Sequence, residues 1–133
     1  MDLVPERSAK IKTAHARILI VDDHEIFRRG LRSLLESRPD WEICGEATDG
    51  EDAVEKASQL EPDIAVLDIT MPRLNGLDAA QKIRKLLPQC KIVILSQHQL
   101  PAMKREAMKS GASAYVTKSE VSRELLAAID GLL

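Results

Sequence analysis

At 133 residues, with 44% apolar and 30% charged side chains, the chain has the size and balance of one domain around one core. A formal net charge of −2 gives no reason to expect nucleic-acid or membrane binding by this segment. No apolar run approaches the roughly 20 residues of a membrane helix, and the N-terminus has no signal-peptide core.

Residues 1–15 lack periodicity and read as a loose tail, with 16–133 as the folded unit. The first strand is Arg17 to Val21. It is apolar on both faces, as a central strand covered by helices on both sides should be, and it ends in Asp22-Asp23-His24. A helix over Glu25 to Ser37 follows, with Phe27, Leu31, Leu34 and Leu35 on one stripe and Ile26 and Gly30 beside it. Gly30 is expected to allow close packing on the sheet; Arg28, Arg29, Arg32 and Arg38 take the other side. Trp41 to Glu46 alternates as an edge strand does. Thr48 and Glu51 have the spacing of a capping box for a second helix ending near Leu60, with Ala53, Val54, Ala57 and Leu60 inward.

The third strand, Ile64 to Asp68, is fully apolar until it reaches its acid. A turn-rich loop follows, and Asn75 caps a helix from Gly76 whose inward side is Leu77, Ala80, Ile83, Arg84 and Leu87. Strand four is Lys91 to Leu95, ending in Ser96. After a loop over 97–100, Pro101 suits the first turn of helix four, and Gly111 is placed to stop it. Strand five is Ala112 to Thr117, ending in Lys118. Ser119 can cap a fifth helix with Val121, Leu125, Ala128, Ile129 and Leu132 inward. Five repeats of strand then helix argue for one parallel α/β sheet with helices on both faces.

All strand ends of a parallel sheet point one way, where open α/β sheets carry ligand chemistry. Asp22, Asp23, Asp68, Ser96 and Lys118 therefore converge on one rim. Three clustered carboxylates repel one another unless a cation sits among them. Oxygen ligands select a hard ion, Mg²⁺ or Mn²⁺, and Mg²⁺ commonly serves a phosphoryl group. An Asp carboxylate can itself be the nucleophile towards phosphorus. His24 and His98 lie near the rim and read as solvated histidines. The Gly-rich dinucleotide fingerprint, the P-loop and the Gly-x-Ser-x-Gly elbow are missing from the sequence. Cys44 and Cys90 lie far apart in apolar surroundings and read as buried free thiols of a cytoplasmic chain.

Asp22-Asp23, Asp68, Ser96 and Lys118 resemble the signature of response-regulator receiver domains from two-component signalling. Phe27-Arg28-Arg29-Gly30-Leu31, Gly45 to Gly50, Asp68 to Pro72 and Ser110 to Tyr115 resemble the NarL/FixJ-type (LuxR-type transcription regulator) subfamily. The resemblance covers residues 16–133. It implies a flavodoxin-like (βα)5 fold, a doubly wound sheet of five parallel strands in the order 2-1-3-4-5. It also implies that Asp68 is the phosphoacceptor, served by a sensor histidine kinase or phosphotransfer protein. Asp22, Asp23, Asp68 and the Thr70 backbone carbonyl would hold Mg²⁺, Ser96 and Lys118 would contact the phosphoryl group, and Tyr115 would be the switch aromatic. The product would be a switch with slow autodephosphorylation, not a turnover enzyme, read on the surface of helix four, strand five and helix five.

Ser119 departs from the Pro that many receivers carry after the lysine, and Pro101 bears on the dimerisation face. The apolar ending at Leu132-Leu133 reads as a receiver taken from a longer regulator, with a helix-turn-helix output domain beyond it and a homodimer as a further partner. Two rival readings stand beside this one. A phosphate-independent interaction module on the same fold normally loses one of the acid, hydroxyl and lysine set, and none is lost here. A Mg²⁺-dependent phosphatase normally carries a second acid two residues after the nucleophile, where this chain has Thr70.

Overall fold

In the computed structural model, residues 16–69, 75–97 and 99–133 are described. Five strands, β1 (Ala16–Val21), β2 (Trp41–Ala47), β3 (Ile64–Asp68), β4 (Lys91–Ser96) and β5 (Ala114–Thr117), alternate with five helices. The helices are α1 (Glu25–Glu36), α2 (Gly50–Leu60), α3 (Gly76–Leu86), α4 (Pro101–Lys109) and α5 (Val121–Asp130). All strand pairs are parallel, in the order β2-β1-β3-β4-β5. This is the flavodoxin-like order, with β1, β3 and β4 inside the sheet.

The period-two alternation of the central strands sends their side chains to two cores. On one side, Leu19, Val21, Ala65, Leu67, Ile92 and Ile94 meet α2, α3 and α4 through Ala53, Ala57, Ala80, Ile83 and Ala107. On the other, Ile18, Ile20, Ile64, Val66, Val93 and Leu95 meet α1 and α5 through Leu31, Leu35, Val121, Leu125 and Ile129. Each fully buried Leu or Ile contributes about 1.5–3 kcal/mol of transfer free energy, so the two layers hold the sheet from both sides. The β1–β2 ladder has one irregularity: Ile18 pairs with Ile43 but Leu19 pairs with Gly45, and Cys44 is passed over.

Asn75 caps α3 as expected, its side chain accepting from the Asp78 amide at 2.9 Å. Pro101 opens α4, and Gly111 follows its end with φ 105°. Three local expectations are corrected. The cap of α2 is Asp49, whose carboxylate accepts from Asp52 N at 2.8 Å, one residue later than the Thr48 box. Ser119 does not cap α5; Lys118–Glu120 form a 3-10 turn that runs into the helix. Gly30 faces solvent, and a Cβ there would meet nothing within 4 Å, so it is not a close-packing residue. Strand five is also shorter than expected: Ser113 N donates to Ile92 O before regular pairing starts at Ala114.

Candidate phosphoryl and metal site

Register brings the rim together. Val21 pairs with Leu67 and Asp68 pairs with Leu95, so Asp22 lies beside Asp68 at the ends of neighbouring strands. Ser96 pairs with Thr117, which sets Lys118 at the next position along β5. Asp22, Asp68 and Ser96 are 0%, 2% and 0% exposed, so the rim is a pocket floor rather than a solvated edge. Asp23 and His24 stand at its open side.

Lys118 binds the acids together. Its Nζ lies 2.8 Å from Asp22 Oδ2 and 3.4 Å from Asp68 Oδ2. The other oxygen of Asp22, Oδ1, accepts from the His24 amide at 2.8 Å. His24 is exposed, as expected, yet its Nδ1 approaches Asp22 Oδ1 at 3.3 Å and Asp23 Oδ1 at 3.2 Å. Carboxylate oxygens of Asp22, Asp23 and Asp68 and a His24 ring nitrogen all fall within 4.8 Å of one another. Three carboxylates against one ammonium leave a negative surplus that a divalent cation would neutralise. The oxygen-rich donor set fits a hard ion such as Mg²⁺. Thr70 and His98 lie outside the described residues.

The support around the rim was not legible from the sequence. Arg28, placed by periodicity on the outer side of α1, turns back instead. Its Nη1 donates to the Asp22 carbonyl at 2.8 Å and its Nε to Glu46 Oε1 at 2.6 Å. Arg32 Nε joins Glu46 at 3.2 Å, and Lys56 donates to the Glu46 carbonyl. The strand that carries Asp22 is thus tied to α1, and its neighbour β2 to both α1 and α2. Next to Asp68, Ile69 N donates to Leu95 O at 2.9 Å and Gly76 N donates to Ile69 O at 3.0 Å, tying the start of α3 to the end of β3. Tyr115 is half-buried and lines a cleft of about 410 Å³ with Gln99, Leu100, Lys104 and Thr117. Thr117 Oγ1 accepts from Gln99 Nε2 at 3.2 Å, tethering the β4–α4 loop to β5.

An acid pair and a lysine at the carboxyl rim of a five-stranded 2-1-3-4-5 sheet define the receiver class of signalling domains. The response regulator receiver domain model matches residues 18–130, and the chain belongs to that family. It is similar to the chemotaxis protein CheY of Thermotoga maritima, 44% identical over 77% of this chain and 84% of that protein. It is 34% identical to the transcriptional regulatory protein DegU of Brevibacillus brevis over 85% of this chain and 48% of that one. The chain therefore spans about half the length of the transcriptional regulators it matches. Among solved structures, a LuxR-family two-component response regulator from Aurantimonas superposes with a TM-score of 0.84 at 41% identity, covering 88% of this chain and 84% of that one. The Borrelia burgdorferi CheX–CheY–BeF3–Mg complex gives a TM-score of 0.82 at 25% identity, covering 87% of each chain. The transcriptional regulators among these relatives are of LuxR/NarL type, as the subfamily resemblance implied. Among the described residues, no helix is long and apolar enough to cross a membrane.

Proposed function

We propose that this receiver domain is a phosphorylation-dependent switch with Asp68 as its acceptor. The observation that carries the reading is the Lys118 ammonium lying between Asp22 and Asp68, with Asp68 at the end of the central strand. A carboxylate held at a strand end beside an ammonium can meet phosphorus without rearrangement of the backbone. An oxygen of Asp68 attacks the phosphorus of a phosphohistidine on a sensor histidine kinase or phosphotransfer protein. The O–P bond forms, the N–P bond breaks, and the electron pair returns to the leaving imidazole. Ser96 and Lys118 then hold the phosphoryl oxygens by charge-assisted hydrogen bonds.

Asp22, Asp23 and Asp68, with the Thr70 carbonyl implied by the family, would hold Mg²⁺ or Mn²⁺. The ion, when bound, neutralises charge on the transferring group. Mg accompanies the related Borrelia CheY in its BeF3 complex, which supports this assignment. The domain acts on itself, through phosphotransfer and slow autodephosphorylation. Tyr115 is the switch aromatic: it turns inward when Ser96 moves towards a phosphoryl group, a population shift on the α4–β5–α5 surface. Residues 16–133 are the working unit; residues 1–15 lie outside the described residues. The output is a helix-turn-helix domain of a cytoplasmic regulator; that the DegU relative is a transcriptional regulatory protein supports a role in transcription.

The test is intact mass after incubation with acetyl phosphate and Mg²⁺. A single phosphoryl adduct in the wild type, lost in Asp68→Ala and without metal, is the expected result. No adduct with Mg²⁺ bound would transfer the assignment to a phosphate-independent interaction module, or to a receiver that accepts a phosphoryl group only from its own kinase.

A further inference from the structure

We infer that Phe27 of α1 is a positioning residue for Lys118, an inference that rests on Lys118 being a phosphoryl-contacting group. The Lys118 ammonium lies 4.4 Å from the centroid of the Phe27 ring, on top of its two carboxylate contacts. The face of an aromatic ring is electron-rich and attracts an ammonium, the more so when the cation is desolvated. Lys118 meets that condition, with its side chain 11% exposed.

The ring does something the carboxylates cannot. Asp22 and Asp68 change partners when the site takes up a cation or a phosphoryl group, so their pull on Lys118 changes with the state of the site. The ring has no lone pair to give to a metal and no net charge to be neutralised. Its attraction for the ammonium persists through the cycle. A lysine on a flexible four-carbon stem is thereby kept near the reacting oxygens instead of swinging to solvent, a form of electrostatic preorganisation.

The simpler account is that Phe27 only fills the apolar stripe of α1. It does pack against the α1–α5 core, alongside Leu34. Leucine keeps most of that apolar contact, any packing lost being read in the urea midpoint, and an aliphatic side chain offers no face to a cation. The two accounts therefore separate on the Phe27→Leu and Phe27→Tyr pair, because Tyr keeps the ring.

The experiment follows the rate of phosphorylation by acetyl phosphate at saturating Mg²⁺, with urea midpoints recorded in parallel. Phe27→Leu is expected to slow the reaction roughly two- to fivefold, the scale of one partly desolvated cation–ring contact, and Phe27→Tyr to restore it. In a Lys118→Ala background, Phe27→Leu is expected to cause no further slowing. A wild-type rate in Phe27→Leu, or the same proportional loss with and without Lys118, overturns the inference while leaving Asp68 as the acceptor. A wild type that takes up no phosphoryl group with Mg²⁺ bound, either from acetyl phosphate or from a phosphorylated histidine kinase, overturns the parent reading and the inference together.

Discussion

Gly76 packs directly on the backbone of Asp68. A Cβ at Gly76 would collide with the Asp68 carbonyl oxygen and would lie 2.7 Å from Ile69 Cα. Neither atom can swing away, because both are backbone atoms at the end of β3. Gly76→Ala must therefore push α3 and the end of β3 apart. Overpacking of this kind costs about 1–3 kcal/mol. A fall in the urea midpoint, together with slower uptake of a phosphoryl group, is the expected outcome. An unchanged midpoint would show that α3 and the end of β3 separate without cost.

Lys118→Ala leaves the buried Asp22 carboxylate without its 2.8 Å ammonium. Breaking a buried pair by removing one partner is costly. The loss is expected on the order of 1–3 kcal/mol in EDTA, below that of a dry pair because the rim borders solvent. Mg²⁺ should restore part of it. The wild type should itself gain about 1.4 kcal/mol at a metal concentration ten times Kd, by mass action on the folded state. Thermal melts of both proteins with and without Mg²⁺ check this. An equal shift in Asp23→Asn would remove Asp23 from the metal site.

The architecture and the rim were legible because both are written locally. Four apolar runs ending in Asp22, Asp68, Ser96 and Lys118 state the strands and, through parallel topology, their convergence. Asn75 and Pro101 were legible for the same reason, since a cap and a first-turn proline act within three residues of themselves. What escaped depends on contacts across the fold. Arg28 looks like a solvent residue on a helical wheel, and only Glu46 and the Asp22 carbonyl, brought over by β2 and β1, turn it inward. Gly30 lies beside the apolar stripe of α1, but the sheet does not reach it. Thr48 and Asp49 are both competent caps one residue apart, and the path of the chain out of β2 decides between them.

Arg38 and Asp130 form a two-bond pair, both distances 2.8 Å, between the end of α1 and the end of α5. The guanidinium also lies 4.8 Å from the Trp41 ring. The side-chain hydrogen bond from Arg38 holds the Asp130 carboxyl below the usual carboxylate range. A depressed folded value means that the pair stabilises the protein above the unfolded pKa and stops doing so as pH falls through the folded one. The stability difference between the wild type and Asp130→Asn should thus be present at neutral pH and shrink in acid. Both groups are solvated, so the difference is small and should fall further with salt. A pH-independent difference would assign the effect to something other than this carboxylate.

The two thiols should differ in reactivity. Burial pushes the Cys90 thiol up to about 11, and burial also raises that of the half-exposed Cys44. Thiolate is the nucleophile, so at pH 8 iodoacetamide should modify Cys44 slowly and Cys90 only after unfolding. Because the folded state keeps the Cys90 proton longer than the unfolded one, this thiol adds stability below its ordinary value of 9.0 and loses it as pH rises towards 11. Mass mapping of the alkylated peptides with and without urea decides it; early labelling of Cys90 would contradict its burial.

The residue passed over in the β1–β2 ladder decides which way the end of β2 faces. Before it, Ile43 lies with Ile18 on the side of α1 and α5. After it, Gly45 lies with Leu19 on the side of α2, and Glu46 with Ile20 on the side of α1. Had Cys44 taken its turn opposite Leu19, every later residue would have changed sides. Glu46 would then enter the alanine-lined layer, and Ala47 would face the arginines. Arg28 and Arg32 would lose their shared acid, and the Asp22 strand its outermost brace. Cys44 thus acts as a spacer, a beat the strand skips so that an acid six residues into β2 arrives on the side where α1 waits for it.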